Sequence, residues 1–206
     1  RGSVCRLADG GTPSLMPQER GILSGSVVPF RLVFLMWLVF SFQVVYELEL
    51  GYLEVYPRHL TGLIGLLTAP LIHGDLLHLV SNTIPLLFLG SVLFFFYPRL
   101  ASNIFFRVYM LPYALVWLLS PRLSYHIGAS GMVYGLSAFL IIYGLFKGDL
   151  VSLLISISTV FLYGGIFHGI MPTDPHISWE THLFGALTGA LSAIQSLAKD
   201  RSKAPR

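Results

Sequence analysis

The chain has 206 residues, of which 54% are hydrophobic and only 11% are charged, and its mean hydropathy is +0.72. A soluble domain of this length cannot bury so many Leu, Val and Phe side chains, so the composition excludes that class and indicates a protein whose solvent is lipid. The net charge of +3 is small and does not call for a nucleic-acid partner. The only cysteine, Cys5, excludes an internal disulfide and a cysteine-based metal cluster.

The apolar residues are grouped into six runs, each long enough to span a bilayer. Residues 1–28 precede them and are predicted to form a flexible cytoplasmic arm, because residues 8–26 are rich in Gly, Ser and Pro. Pro85 interrupts the second run, so residues 71–97 can also be divided differently. The predicted fold class is all-α, a polytopic membrane protein with one six-helix domain at 29–198 and a basic tail at 199–206. The six runs are 29–48, 76–97, 102–120, 130–146, 150–169 and 180–198.

The basic residues predict the orientation of these spans. Of the 13 lysines and arginines, all but Arg58 and Arg122 lie before or at the start of the first span, after the last span, or in or beside the second and fourth connections. By the positive-inside rule both termini are cytoplasmic. Five more spans follow the first one, which therefore reads as a transmembrane helix and not as a cleaved signal peptide.

Three polar residues share one level in these apolar spans. Asn82, Ser130 and His182 each lie 17 residues before a basic residue, which is about 26 Å along a helix. A hydrocarbon core is about 30 Å thick, so the three meet in one layer near the external face. A hydroxyl, an imidazole and a carboxamide in one layer indicate the chemistry of a serine hydrolase. The basic residues are Arg99, Lys147 and Lys199.

Ser130 opens the fourth span, within the segment Gly128-Ala129-Ser130-Gly131. Backbone N–H groups in the first turn of a helix have no intrahelical partner, and with the helix dipole they favour negative charge beside the serine oxygen. The alternative interpretation is that Ser130 caps the helix and the two glycines only pack it.

His182 lies in the last span, where an imidazole is costly unless it is paired. Gly185 and Gly189 share one face of that helix, and Gly131 with Gly135 offers the same spacing on the serine helix. Two such smooth faces bring Ser130 and His182 into hydrogen-bond range, with the histidine as general base.

No carboxylate is placed to act as the third residue of a catalytic triad. Glu180 is two residues from His182 and points to another side of the helix, so the sequence predicts a dyad. Tyr134, one turn below Ser130, either orients the imidazole by packing or is an ordinary core tyrosine.

A second polar cluster stands at the start of the second span. His78 and Asn82 share a helix face at i, i+4, and both can donate hydrogen bonds to an oxyanion. His73 lies at the outer end, where holding a loop is the expected role. The alternative, a metal bound by His73, His78 and His182, is not favoured, because no His-Glu-x-x-His helix, carboxylate or thiolate joins the group.

With these motifs together, the chain resembles the rhomboid family of intramembrane serine proteases over all six spans. The resemblance implies that Ser130 is the nucleophile, that His182 is its base, and that the enzyme hydrolyses a peptide bond in membrane-spanning substrates without metal or other cofactor. It also implies a compact form of the prokaryotic plasma membrane. The carrying residues are Gly128, Ser130, Gly131, His73, His78, Asn82, His182, Gly185 and Gly189, and Tyr134 is implied to pack near His182.

The chain departs from that family's pattern in its first loop. Many rhomboids carry a long loop with a Trp-Arg pair there, whereas the loop of this chain, residues 51–68, is short and lacks the pair. Arg58 is the alternative anchor for this loop.

Two other function classes remain open at this stage. A transporter or channel would usually show repeat symmetry and broken helices near the midplane, which this chain does not. A catalytically silent relative that only binds membrane helices would be expected to lack the serine or the histidine. The protease therefore remains the preferred interpretation. Its substrate is expected to pass sideways along the fifth span, beneath a cap formed by residues 169–179.

Overall fold

The computed structural model describes residues 22–173 and 177–203. Within them the chain forms a helical bundle, with one isolated β-bridge between Val55 and His126. Short 3₁₀ helices at Gly51–Leu53, Leu60–Leu63 and Ala69–Leu71 lie in the first connection, and another at Gly164–Ile170 follows the sixth helix. The α-helices are α1 Ile22–Val45, α2 Gly65–Thr68, α3 Leu76–Phe96, α4 Pro98–Leu119, α5 Ser130–Phe146, α6 Leu150–Tyr163 and α7 Trp179–Lys203.

Each of the six predicted spans has a helix of this bundle, and the all-α class is confirmed. Three stretches are long and apolar enough to cross a membrane, namely Gly25–Val45, Leu76–Phe96 and Pro98–Leu119. Helices α5 and α6 are also apolar but shorter, with 17 and 14 residues. Pro85 lies inside α3, which runs without a break to Phe96.

Several helix ends differ from the sequence prediction. Helix α1 begins at Ile22, so the last seven residues of the predicted arm are helical. An ideal Cβ on Gly25 would lie 3.1 Å from the Phe95 backbone nitrogen, so this glycine lets α1 approach the end of α3. Helix α7 extends to Lys203, into the predicted tail, whereas α6 ends at Tyr163 and continues only as a 3₁₀ helix. The rest of the arm, residues 1–21, lies outside the described residues.

Helix α5 is the centre of the bundle. Its first eleven residues after Ser130 are almost all buried, and α3, α4, α6 and α7 pack around it. The closest neighbour is α7, because glycines face each other across the contact. An ideal Cβ on Gly185 would come within 2.2 Å of the Gly131 carbonyl oxygen, and one on Gly189 within 2.0 Å of that of Gly135. The two backbones are therefore in direct contact, as small residues allow in membrane helices.

The outer surface of the bundle is apolar. Large side chains on α1 and α6, such as Phe34 and Phe161, point away from the core, and Phe161 is 87% exposed. A soluble protein rarely leaves so many large apolar side chains in contact with water. The chain is therefore an integral membrane protein, and these side chains face lipid.

Candidate active site

The N-terminal ends of α3, α5 and α7 meet around one open cavity of about 580 Å³. The segment before α5, residues 122–127, closes another side of it. Helix N-termini carry partial positive charge, so this end of the bundle favours an anion. The cavity wall includes the following residues from the three helices: His78, Asn82, Ser130, Tyr134 and His182.

Ser130 is the first residue of α5, and the backbone before it is held in place. Gly128 has a φ of +87°, a left-handed conformation that glycine adopts without strain. Its N–H donates to the Ala69 carbonyl at 2.9 Å, and its own carbonyl accepts from the Tyr113 hydroxyl at 2.6 Å. Both bonds fix the turn that presents the serine to the cavity.

His182 is oriented by two contacts. Its Nδ1 lies 2.9 Å from the Gly169 carbonyl oxygen, and a carbonyl can only accept, so the hydrogen of the neutral ring is on Nδ1. Its ring stacks on that of Tyr134, with centroids 4.1 Å apart and planes inclined by 8°. The arrangement leaves Nε2 as the nitrogen that can accept a proton.

The two helices place Ser130 and His182 at the same cavity. The Thr181 methyl group lies 2.8 Å from where a Cβ on Gly131 would be, so the residues next to Ser130 and His182 are packed together. In the described part of the chain no hydrogen bond joins Ser130 Oγ to His182. Catalytic hydrogen bonds are often long without substrate and tighten when it binds.

His78 and Asn82 converge beside the serine turn. An ideal Cβ on Gly128 would lie 2.5 Å from His78 Nε2 and 3.4 Å from Asn82 Nδ2, so only glycine fits there. Asp75 caps α3 by accepting from the His78 backbone N–H at 2.8 Å. Asn82 is 4% exposed, and its Nδ2 has no hydrogen-bond partner among the described residues. This amide is a donor available to a ligand.

His73 lies behind His78 and is completely buried. Its Nδ1 is 3.4 Å from the Leu71 carbonyl oxygen, and its ring meets that of His78 edge to face at 5.0 Å. Burial, assisted by neighbouring His78, lowers the pKa of His73 to about 4. Across residues 22–173 and 177–203, no three His, Cys, Asp or Glu side chains are grouped closely enough to hold a metal ion.

Two pairs of residues at this site were not identified from the sequence. The Arg122 guanidinium binds the carboxylate of Glu180, and Nε donates to Oε1 at 2.6 Å. His126 Nδ1 is hydrogen-bonded to the Ser178 hydroxyl. Glu180 is fully buried, and the hydrogen bond to its carboxylate raises the pKa of the Arg122 guanidinium. The available signal was a carboxylate in an apolar span, together with one of the only two basic residues that the sequence predicts on the external side.

The first loop is anchored through Arg58. Its Nη1 donates to the Ser120 carbonyl at 2.6 Å, its backbone N–H donates to the Trp117 carbonyl at 2.9 Å, and its φ is +58°. The Trp117 indole donates in turn to the His59 carbonyl at 2.9 Å. The loop is thereby attached to the end of α4, next to the segment that leads to Ser130.

Comparison with known proteins identifies the family. The family model described as Rhomboid domain matches residues 60–199, which is more than half of the chain and includes α3 to α6 and most of α7. The chain belongs to the rhomboid family. This is the family of intramembrane proteases, and the match covers the cavity and the helices around it.

The chain is also similar to three mycobacterial proteins. Uncharacterized proteins of Mycobacterium bovis and Mycobacterium tuberculosis are each 31% identical over 206 residues, covering 92% of this chain and 82% of the relative. An uncharacterized protein of Mycobacterium leprae is 34% identical over 148 residues, covering 66% of this chain and 57% of the relative.

Proposed function

We propose that this rhomboid is an active serine endopeptidase, which cleaves a peptide bond in or near the transmembrane helix of other membrane proteins. The observation that carries the proposal is the cavity shared by Ser130 and His182, with His182 Nδ1 bound to the Gly169 carbonyl. An imidazole whose second nitrogen can accept a proton, in the same cavity as a serine, is the arrangement that a general base requires. A catalytically silent relative does not need it.

The reaction begins at Ser130. Its Oγ attacks the scissile carbonyl carbon while His182 Nε2 takes the hydroxyl proton. The negative charge then develops on the former carbonyl oxygen. Asn82 Nδ2, the His78 ring and the first N–H groups of α5 stabilise that oxyanion, and each side-chain donor is worth about 10²–10³ in rate.

The second half of the reaction releases both products. Protonated His182 gives its proton to the leaving amine, and an acyl-enzyme on Ser130 remains. Water enters from the cavity, loses a proton to His182 and attacks the ester carbonyl. Collapse of this second intermediate returns the proton to Ser130 and frees the carboxylate product.

The substrate must unwind before it is cut. A transmembrane helix satisfies its backbone hydrogen bonds internally, so its carbonyls are not accessible to Ser130 until a turn opens. Preferred substrates therefore carry small or helix-weakening residues near their outer membrane boundary. The cavity supplies polar partners for the opened turn.

We place both termini in the cytoplasm and the cavity near the external face of a prokaryotic plasma membrane. The distribution of basic residues supports this orientation. Lys147, at the far end of α5, pairs with Asp149 at 3.0 Å, and Tyr143 donates to Asp200 at 2.7 Å. These charged groups lie where the cytoplasmic headgroups are expected.

The test uses purified protein in lipid. A fluorophosphonate probe is expected to label the wild type and not Ser130→Ala, and His182→Ala is expected to abolish both labelling and cleavage while the helical content stays the same. Cleavage of a panel of single-span proteins, mapped by mass spectrometry, identifies the substrate class. Labelling that survives Ser130→Ala would remove the nucleophile from this proposal.

A further inference from the structure

A chain of polar contacts joins the segment before Ser130 to the start of α7. His126 Nδ1 is hydrogen-bonded to Ser178 Oγ, which lies 2.6 Å from Thr181 Oγ1. The His126 side chain is only 1% exposed. The His126 backbone also exchanges two hydrogen bonds with Val55, at 3.0 and 3.2 Å. Three separate segments of the chain therefore meet at this one residue.

The contacts extend to both proposed reacting residues. Ser178 precedes α7, and its carbonyl accepts from the backbone N–H of His182 at 3.3 Å. The methyl group of Thr181 packs on Gly131, the residue after Ser130. The position of the start of α7 relative to the start of α5 thus depends on what holds Ser178 and Thr181.

The protonation state of His126 determines which atoms donate and which accept in these contacts. Burial lowers its pKa to about 4, with Glu180 opposing the shift and Arg122 adding to it. The ring is therefore neutral at physiological pH. Its Nε2 is buried and has no partner among the described residues, so a hydrogen there would be unpaired. A neutral ring that donates from Nδ1 to Ser178, which then donates to Thr181, leaves no N–H without an acceptor.

We propose that His126 is a positioning residue, which sets the distance between Ser130 and His182 through Ser178 and Thr181. The inference rests on the proposed protease function. His126 lies in the cavity wall, but its Nε2 is buried, so the residue acts through its neighbours and not on the substrate. A second connection, from Arg122 to Glu180 and the Ile177 carbonyl, spans the same gap. A variant that loses the histidine therefore keeps the loop and α7 joined.

The experiment compares three variants in lipid. His126→Phe keeps a ring and removes the hydrogen bond, whereas His126→Asn replaces Nδ1 with an amide nitrogen at about the same distance from the backbone. His59→Phe is the matched control, because His59 is exposed and its ring meets that of Tyr56 edge to face at 5.4 Å, far from Ser178 in the sequence. Each variant is measured for kcat, KM, the rate of fluorophosphonate labelling and the unfolding temperature.

Misplacing reacting groups by about 1 Å costs about 10²-fold in rate. His126→Phe is therefore expected to lower kcat and the labelling rate together by about 10- to 100-fold at unchanged KM. His126→Asn is expected to restore most of both rates, and His59→Phe to equal the wild type. Wild-type rates in His126→Phe, a loss confined to KM, or an asparagine variant no better than phenylalanine would each overturn the inference.

A second variant covers the case in which His126→Phe does not fold. Ser178→Ala breaks the same contact from the other side and is expected to show the same loss of kcat. Where both fold, the double variant is expected to be no slower than either single one, because one contact is removed in all three. Losses of kcat that add in the double variant would contradict the inference. Ser130→Ala in the same assay tests the protease function separately, since turnover that does not depend on Ser130 removes that function itself.

Discussion

The ring of Tyr134 lies parallel to the ring of His182, with the centroids 4.1 Å apart and the planes inclined by only 8°. Tyr134 is on α5, one turn after Ser130, and His182 is on α7. The stack therefore joins the helix of the proposed nucleophile to the helix of its base. Phe167, from the 3₁₀ helix after α6, also contacts Tyr134. The two rings meet edge to face, with centroids 6.0 Å apart.

The stack predicts that Tyr134 orients the imidazole. Tyr134→Phe keeps the aromatic face and is expected to retain most of the kcat. Tyr134→Ala removes the face and leaves the imidazole free to turn, with an expected loss of about 10²-fold in kcat. Cleavage of a single-span substrate by the two variants, at equal folded fractions, measures the difference. Equal activity of the two would mean that the ring has no orienting role.

Gly169 is predicted to tolerate no side chain. Its carbonyl accepts from His182 Nδ1, and a Cβ on it would come within 2.2 Å of the Tyr134 hydroxyl oxygen and 3.0 Å of His182 Nδ1. Gly169→Ala must therefore displace the stack or the carbonyl, and a loss of about 10²-fold in kcat is expected. Gly165→Ala is the matched control, because nothing lies within 4 Å of a Cβ there. Similar rates for the two alanine variants would contradict this prediction.

The Arg122–Glu180 ion pair predicts an asymmetric effect on stability. Glu180 is fully buried, so Arg122→Ala leaves its charge without a partner and is expected to cost about 3 kcal/mol of the free energy of unfolding. Arg122 is itself 31% exposed, and water that reaches its site reduces this cost. Thermal unfolding in detergent, followed by circular dichroism, measures the change.

The double variant of this pair separates charge from packing. Arg122→Ala with Glu180→Ala removes both charges and is expected to be more stable than Arg122→Ala alone, since no unpaired carboxylate remains. A double variant less stable than either single variant would show that the pair contributes mainly through its contacts and not through its charge.

How much of this fold follows from the sequence depends on the kind of signal. The six spans were predicted because an apolar run of spanning length is a local property of the chain. The ends of α1 and α7 were missed. For α1, the contact between Gly25 and Phe95 depends on where another helix lies, which the local sequence does not show. The 3₁₀ helix after α6 was also missed, and its Phe167 packs against Tyr134 of another helix, a contact that the local sequence does not reveal.

The proposed site shows the same division. Ser130, His182, His78 and Asn82 were selected because polar side chains in apolar spans are costly and their spacing is fixed by helix geometry. The pairs that hold the site in place were not, since Arg122 is 58 residues from Glu180 and His126 is 52 from Ser178. Apart from the small number of basic residues predicted on the external side, the sequence alone does not indicate which distant polar residue a buried group will meet.

His73 predicts that the protein loses stability in acid. Its pKa is about 4 in the folded state, against about 6.5 for an exposed histidine. Between about pH 6.5 and pH 4, His73 is therefore protonated in the unfolded chain and neutral in the folded chain. The free energy of unfolding falls as the pH is lowered through this range. Wild type and His73→Phe are compared by unfolding at pH 7 and pH 4.5. The variant is expected to lose less stability than the wild type, and equal losses would contradict the assignment.

The contact between α3 and α6 predicts the route of the substrate. The rings of Phe88 and Tyr163 meet with centroids 5.8 Å apart, and α6 otherwise packs along α5. We expect that separation of these two helices opens the cavity sideways to lipid. With Cys5→Ser as background, Phe88→Cys and Tyr163→Cys allow a cleavable crosslink between the two helices.

The crosslink is expected to stop cleavage of a transmembrane substrate and to leave fluorophosphonate labelling of Ser130 intact, because the small probe reaches the cavity from the aqueous side. Reductive cleavage of the linker should restore turnover. The matched control joins α1 to α3 through Trp37→Cys and Thr83→Cys, whose native side chains are hydrogen-bonded at 3.0 Å. That linkage leaves α6 free and should not slow the reaction. Full turnover with α3 and α6 joined would mean that the substrate reaches Ser130 by another path.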